Sequence, residues 1–370
     1  MMTLLAALAL LGESGISNLE SRGSRIASPL RVDAPPRGAG GDLLPDARFE
    51  IRDSFPRAVA KLSIALGVVE TKAGEAGTYA PAAAGVDLEP DMYVRTGPGG
   101  RAALDFADGS ELRLNENTEL RVDAPRKATL KLGSYWASVK KDEAAMFEVT
   151  TPFAPMKANE AVYAASFEKR DPNDPLFKTV SRTETKISVY ESKVQVVSKR
   201  YAQFVTAGYS CNLVDAQLNT PDPTLRPMLE TRWVHPILAA RGKSSPEIGL
   251  RATAMLDRLG SVEKNDPSEA GLRDLGEHAA PTLAMFVKIP SGVGDLPRRR
   301  AAARVLGDVA KNPLDLLPTL RDPDAQVRVS GATGLKRITG EDLGKDEAFW
   351  SGDKAATEGW KLWDDKLRKK

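Results

Sequence analysis

Hydrophobic and polar residues alternate with a period of two along the first half of the chain, over about residues 58–218. Ala102, Leu104 and Phe106 fall on one face of a predicted strand, and Asp108-Gly109 favours a tight turn after it because both residues tolerate positive φ. Similar short runs separated by turn residues follow. A single hairpin is marginal in water, so these strands are expected to pool their apolar faces. The pattern predicts an all-β sandwich, barrel or β-helical stack.

After about residue 221 the apolar period lengthens to nearly four, which is typical of amphipathic helices. The segments 299–309 and 328–338 share one register of arginine, small residues and aliphatics, 29 positions apart. Helices of this kind cannot bury their apolar faces alone, so they stack. Stacked repeats are favoured over an ordinary small bundle. The fold class is therefore a multidomain protein, first β and then α.

Three segments follow from these shifts in pattern: 1–56, a signal-like leader and disordered linker; 57–220, a β domain; and 221–370, a helical domain. The apolar run at residues 4–11 is too short for a transmembrane anchor but fits the central region of a signal peptide. No Lys or Arg precedes the run and no clear cleavage site follows it. A non-native leader or a misassigned start codon is the alternative interpretation.

Composition excludes several classes of function. Lys and Arg number 52 against 50 Asp and Glu, a balance without the broad cationic surface of a nucleic-acid binder. One cysteine and two histidines cannot assemble a Cys/His metal site or an internal disulfide. The only candidates for a catalytic base, His235 and His278, have no nucleophile elbow nearby. We expect no enzyme activity, no metal and no cofactor.

Two loops carry weaker hints of ligand binding. The glycine-rich segment 96–100 lacks the lysine of a phosphate loop and enters a strand, so it is interpreted as a turn. The segment 171–175 has oxygen donors for calcium but not the regular ligand spacing, so a hairpin loop is the better interpretation.

The segment from Tyr93 to Ser110 reads YVRTGPGGRAALDFADGS and resembles the core signature of FecR-type domains. The resemblance continues through 112–120, 130–136, 147–152, 189–196 and 206–209, and covers about residues 58–214. The chain departs from it at Glu191-Ser192, where the family usually has glutamate-glycine, and at 161–167, where a glycine-threonine pair is usual. The best-known members relay an iron-uptake signal across the inner membrane to a sigma factor. They need a cytoplasmic segment and a transmembrane helix that we do not find here, so that mechanism is not carried over.

The helical half resembles HEAT-type repeats, most closely at 317–328 and 335–344. A tryptophan-rich tail follows, and the spacing of Trp360 and Trp363 puts both indoles on one helix face. Terminal repeats need a cap, so these rings are predicted to seal the core rather than to form a ligand cage.

These features predict a non-enzymatic protein of the cell envelope, exported to the periplasm, that contacts an envelope protein in signalling or assembly; a cytoplasmic location is the alternative. The predicted partner-binding residues are Arg95, Asp108 and Arg113 on the β surface, the large rings Tyr135 and Trp136, and Arg299 and Arg300 on a helical ridge. The alternative function is a carbohydrate- or cell-wall-binding module, in which Tyr135, Trp136 and Tyr209 stack on sugar rings.

Overall fold

The computed structural model describes residues 58–169, 183–197, 202–214, 217–223, 227–242, 246–259, 267–288, 295–341, 345, 347–352 and 354–368. All of them fall in one compact unit, Ser54–Lys370. The predicted leader and linker and the loop at 171–175 lie outside the described residues. The chain forms strands as far as Pro223 and helices from Pro227 onward, which confirms the predicted order of β and then α.

The strands are short apart from two. In chain order they are β1 (Ala60–Leu66), β2 (Val69–Ala73), β3 (Ala80–Pro81), β4 (Asp87–Leu88), β5 (Met92–Thr96), β6 (Arg101–Phe106), β7 (Glu111–Leu114), β8 (Glu119–Ala124), β9 (Lys127–Val139), β10 (Phe147–Thr150), β11 (Pro155–Ala158), β12 (Ala161–Lys169), β13 (Thr183–Val197), β14 (Ala202–Thr206), β15 (Tyr209–Val214), β16 (Gln217–Leu218) and β17 (Asp222–Pro223).

Two sheets share the two longest strands. The helix-facing sheet runs β4–β1–β6–β7–β9–β12–β13–β15, with β16 and β17 paired to β15. The second sheet runs β3–β2–β5–β8–β9–β10–β11–β13–β14. Every pair is antiparallel except β9 with β10. Their inward side chains form one β core, which includes Leu104, Leu120, Tyr135 and Val194.

Both long strands change sheets at a residue with a positive φ. Strand β9 leaves the second sheet at Gly133 (φ 94°), where a side chain would clash with Thr118. Strand β13 enters the second sheet just after Ser192 (φ 62°). Ser192 is the position at which FecR-type sequences usually have glycine, the residue that adopts this conformation without steric cost. The departure seen in the sequence is therefore a site of local backbone strain.

The helices are α1 (Pro227–Glu230), α2 (His235–Ala240), α3 (Pro246–Leu256), α4 (Ser268–Asp274), α5 (Ala280–Lys288), α6 (Leu296–Val309), α7 (Ala325–Thr339), α8 (Glu347–Ser351) and α9 (Trp360–Arg368). Short 3₁₀ segments occupy Arg232–Val234, Gly276–Ala279 and Pro313–Arg321, and a π turn covers Ala355–Gly359.

Successive helices alternate between two layers. The first layer contains α3, α5, the 3₁₀ segment Pro313–Arg321 and α9, each packed on the one before it. The other layer contains α2, α4, α6 and α7 in the same manner, and the two layers enclose a separate helical core. Glycines allow close approach between neighbours, since a Cβ on Gly334 would meet Gly307 at 2.8 Å.

Arg328, the counterpart of Arg299 in the 29-residue register, ties the last helices together. Its buried guanidinium donates to the backbone carbonyls of Asp322 and Pro323 before α7, and to those of Trp350, Ser351 and Gly352 at the end of α8. These carbonyls would otherwise lack donors at the ends of their segments.

The tryptophans of the tail close the helical core. The ring of Trp363 is buried in that core together with Trp350, and Trp360 is partly buried under the guanidinium of Arg321, 3.5 Å from its ring centroid. Their positions agree with the predicted sealing role.

We expect Ser192→Gly to raise the free energy of unfolding by about 0.5–1 kcal/mol, because it removes the left-handed strain of a non-glycine residue. The matched control is Glu191→Gly at the preceding exposed position, whose φ is not positive. There glycine only adds freedom to the unfolded chain, so stability should fall. Urea unfolding of the full chain measures both effects, and a loss of stability in Ser192→Gly would contradict the strain argument.

Candidate functional site

The outer face of the helix-facing sheet is buried against the first helices, along a surface that we call the seam. Consecutive residues of β9 show the division: Tyr135 points into the β core, whereas Trp136 belongs to the helical core. On β12, Tyr163 points inward while Val162 and Ala164 pack beneath the helices. The burial of consecutive residues, rather than every second one, distinguishes β6 and β7 from strands such as β10 and β11 of the second sheet.

A β-bulge shapes one end of the seam. The register of β1 against β6 shifts between Leu62 and Ile64, so Leu62 enters the β core while Ile64 pairs with Ala103 on the outer face. On that face Ile64 and Ala103 form a cluster with Ile237 of α2, and Trp233 packs at the edge of the same cluster. An extra residue in one strand reverses the side-chain alternation beyond it. The bulge thus supplies an apolar anchor for α2.

A network of charged side chains crosses the seam beside these apolar contacts. The Arg113 side chain, which is 4% exposed, donates two hydrogen bonds to Glu111 (2.7 and 3.0 Å) and one to Glu247 of α3 (2.9 Å). Glu247 also accepts from Arg251 one turn along α3, at 2.9 Å. Arg241 donates to Asp105 at 2.5 Å and lies 2.7 Å from Glu111. Three arginines therefore meet three carboxylates in this network.

The electrostatics follow from this balance. Burial raises the pKa of Glu247, but Arg113 and Arg251 outweigh it and hold the pKa below its usual value. Burial lowers the pKa of Arg251, and Glu247 acts against that effect. Arg113 also lies 3.8 Å above the ring of Trp136, a cation–π contact in a desolvated place. Removing one partner would leave a buried charge alone, which costs more than the pair itself contributes.

His235 adds a neutral polar group to the same region. Its ring is fully buried, Nδ1 lies 3.0 Å from the carbonyl oxygen of Gly271, and Nε2 lies 3.5 Å from a nitrogen of Arg251. A carbonyl only accepts, so Nδ1 carries the proton. Burial, followed by the charge of Arg251, lowers the pKa of His235 to about 3. The side chain is neutral at physiological pH and has a structural role.

A polar cleft of about 220 Å³ opens at the edge of the seam, between strands β9, β12 and β13 and the segment that leads from α1 into the 3₁₀ segment. Its floor consists of small side chains from adjacent strands: Ser134, Ala164, Ser166 and Ser188. Its walls are Asn115, Tyr190, Glu230, Thr231 and Trp233, with Glu168 and Lys186 also on its rim. Lys186 and Glu230 form an ion pair at 3.1 Å.

Three of the predicted partner-binding residues are buried and therefore not accessible to a partner. Tyr135 is completely buried in the β core, where it donates to the sulfur of Met156 at 3.2 Å. Trp136 and Arg113 are buried in the seam, so their contacts are made within the chain. Large rings and charges between apolar neighbours therefore mark an internal contact here, because both faces of this sheet are covered.

The other predicted residues of the β part are partly accessible. The guanidinium of Arg95 stacks on Tyr79 and donates to Glu70 at 2.9 Å, with 42% of its side chain exposed. Asp108 accepts from the backbone and hydroxyl of Ser110 and from Arg126, so its carboxylate shapes the turn. Tyr209 is exposed at the start of β15, away from Tyr135 and Trp136.

On the helical ridge, Arg299 and Arg300 both meet the turn before α7. Arg299 is buried and pairs with Asp322 at 3.1 Å, whereas Arg300 is 37% exposed and pairs with Asp324 at 2.7 Å. Asp324 also caps α7 by accepting from two backbone amides. Arg300 borders a groove of about 460 Å³ between α6 and α7 that Arg304 also lines.

Sequence reasoning missed Glu247 and Arg251, which hold the seam from the helical side, and it considered His235 as a candidate catalytic base. The available signal was the Glu247/Arg251 spacing of four, which places two opposite charges on one helix face. No pattern within the helix shows that this face meets Arg113, 134 positions away along the chain.

Comparison with known proteins identifies the β part. Residues 92–195 match the family described as FecR protein, so the chain contains a FecR domain in less than a third of its length. No curated protein matches the chain.

Two crystal structures of a protein from Parabacteroides distasonis, described as a putative anti-sigma factor and solved at 1.65 and 2.50 Å, are similar to part of the chain. Each has 17% sequence identity and a TM-score of 0.33, over 39% of this chain and 64% of that one. The chain thus spans less than two thirds of that protein's length, and the likeness carries no argument about function.

Two further findings concern only the described residues. None of their helices combines the length and apolar composition needed to cross a membrane. Their histidine, cysteine and acidic side chains nowhere gather in threes around a position for a metal ion. Cys211 is buried in the β core, and burial raises the pKa of its thiol to about 11.

The depressed pKa of His235 predicts a specific pH dependence. Because the unfolded state binds a proton below about pH 6.5 and the folded state only near pH 3, His235 should destabilise the fold as the pH falls between these values. The slope is about 1.4 kcal/mol per pH unit, or about 2 kcal/mol at pH 5.

The matched variant is His235→Asn, whose amide can still donate to Gly271. Chemical unfolding of both proteins at pH 7 and pH 5 measures the difference, and the variant should lose about 2 kcal/mol less than the wild type on acidification. An equal loss in both proteins would show that other groups cause the acid sensitivity.

Proposed function

We propose that the chain is a non-enzymatic protein of the cell envelope, exported to the periplasm, that acts in signalling or envelope assembly. In this proposal the β domain (57–220) is a sandwich that senses or binds an envelope component through its FecR domain. The helical domain (221–370) is a HEAT-like stack that presents a surface to a partner protein. The FecR match supports the sensing role, and the alternation of helices between two layers supports the stack.

One observation carries the proposed contact surface. Each of four successive members of the first layer exposes one large hydrophobic side chain: Leu250 of α3 (58%), Met285 of α5 (64%), Leu314 of the 3₁₀ segment (55%) and Leu362 of α9 (40%). The inner side of this layer packs on the other layer, so we infer that these exposed side chains form a row on its outer side. Single exposed apolar residues are ordinary, but one on each successive member of a layer supports an interface there.

Of the residues predicted from the sequence, Arg95 and Arg300 remain candidates for partner contact because part of each guanidinium is exposed. A partner with acidic groups would compete with Glu70 and Asp324 for them. The predicted sugar platform of Tyr135 and Trp136 is not favoured, because both rings are buried.

The contact surface predicts that Met285→Glu combined with Leu314→Glu abolishes partner binding without unfolding the protein, because both side chains are already exposed. The measurement is chemical cross-linking in intact cells, followed by mass spectrometry of the products. We expect wild-type protein to cross-link through the first layer to one envelope protein, and the double variant to lose at least nine tenths of that product.

The matched control carries Val68→Glu and Leu132→Glu, two hydrophobic residues of the β part that are 52% and 44% exposed. Equal cross-linking by all three proteins would contradict the assigned surface. Cross-linking only to a second copy of the chain would contradict a partner protein, and recovery of the protein solely in the cytoplasm would contradict the envelope assignment.

A further inference from the structure

The cleft at the edge of the seam exists because four neighbouring positions on three strands carry small side chains. Ala164 lies opposite Trp136 and Ser188, and Ser166 lies opposite Ser134 and Lys186. The first row meets the helices, and the second row carries the hydroxyl groups of Ser166 and Ser134 beside Lys186. The outer face of this sheet thus becomes more polar where the helices stop covering it.

One polar atom of the cleft, Oδ1 of Asn115, is buried without a hydrogen-bond partner in the described part of the chain. Leaving such a group unpaired costs about 1–3 kcal/mol, so a buried unpaired group in a native protein calls for an explanation such as a bound molecule. Oδ1 is an acceptor, so the molecule that satisfies it carries a donor such as a hydroxyl group. The neighbouring hydroxyl of Tyr190 lies beside Thr231 and pairs with it.

We infer that this cleft binds a small hydroxylated molecule of the size of one sugar ring. Its volume is about 220 Å³. Serine, threonine, tyrosine and asparagine groups supply donors and acceptors, and the partly buried indole of Trp233 supplies an apolar wall. Lys186 and Glu230 on the rim pair with each other at 3.1 Å, and Glu168 adds a negative charge, so the rim disfavours an anionic ligand.

Occupation of the cleft would bridge the two parts of the chain. The floor belongs to the FecR domain, while Thr231 and Trp233 belong to the segment that begins the helical part. A ligand that contacts both sides favours the closed seam over any arrangement in which the two separate. This inference deepens the proposed function, because it rests on the β part being the one that senses a component of the envelope.

The test uses the full-length protein with D-glucose and N-acetyl-D-glucosamine as neutral probes and glycylglycine as a zwitterionic probe. We expect saturation-transfer NMR to show millimolar binding of at least one sugar and none of the dipeptide. Ser166→Leu, which fills the floor of the cleft, should weaken sugar binding at least tenfold. Thr150→Leu, at a partly exposed position of the second sheet, is the matched control and should bind like the wild type.

Thermal unfolding gives a second measurement on the same samples. The midpoint should rise with sugar concentration for the wild type and for Thr150→Leu, and stay constant for Ser166→Leu. Absence of sugar binding to the folded wild type, retention of binding in Ser166→Leu, or binding of glycylglycine instead would each overturn the inference. None of these results bears on the apolar row of the first layer, so the cross-linking test of the proposed function fails or succeeds separately.

Discussion

The outer face of the helix-facing sheet is the constraint on which the rest of the molecule depends. An antiparallel sheet can leave one face to water, but this one carries Trp136, Val162, Ile64 and Ala103 on the side away from the β core. Exposing such a surface would sacrifice about 1.5–3 kcal/mol for each large side chain. The helices that follow the last strand cover it, and the FecR domain and the helical part become one compact unit as a result.

Charge then fixes how the helices sit on the sheet. Apolar contacts alone tolerate small shifts, whereas Arg113 can satisfy Glu111 and Glu247 together only when α3 lies directly over β7. Arg251 and Arg241 extend the same network, so each buried charge has an opposite partner within hydrogen-bond distance. Such networks add specificity more readily than net stability. The position of the helices on the sheet also determines the shape of the cleft at the edge of the seam.

The sequence predicted the elements better than their contacts. The two-residue period and the Asp108-Gly109 turn located β6 and β7, and Gly109 does adopt a positive φ (81°). The 29-residue register located α6 and α7 and the paired arginines Arg299 and Arg328. Such signals are local, since they depend on neighbours within one strand or one helix.

The candidate site was not predictable in the same way. Arg113 and Trp136 occupy the outward positions of their strands, which are the positions expected to face water or a partner. Only the fold brings Glu247 and α2 over them, and no period in either half encodes that pairing. The strain at Ser192 was visible as a departure from the FecR pattern, but its cause, the crossing of β13 between sheets, required the register of both sheets.

The central claim is that the seam makes the strands and the helices unfold together, and equilibrium unfolding with two probes tests it most directly. Urea titrations of the full chain are followed by circular dichroism at 222 nm for the helices and by exchange protection of the β6 and β7 amides for the sheet. The account predicts coincident transitions for the wild type. It also predicts that Arg113→Ala lowers both midpoints together, with a loss of about 2–4 kcal/mol in the free energy of unfolding. The control is Arg121→Ala, which removes an ion pair with Asp123 on the same strand, away from the seam. It should change the free energy of unfolding by less than about 1 kcal/mol. Separate transitions for helices and sheet, with the midpoint of the sheet unchanged by Arg113→Ala, would contradict the claim that the two unfold together.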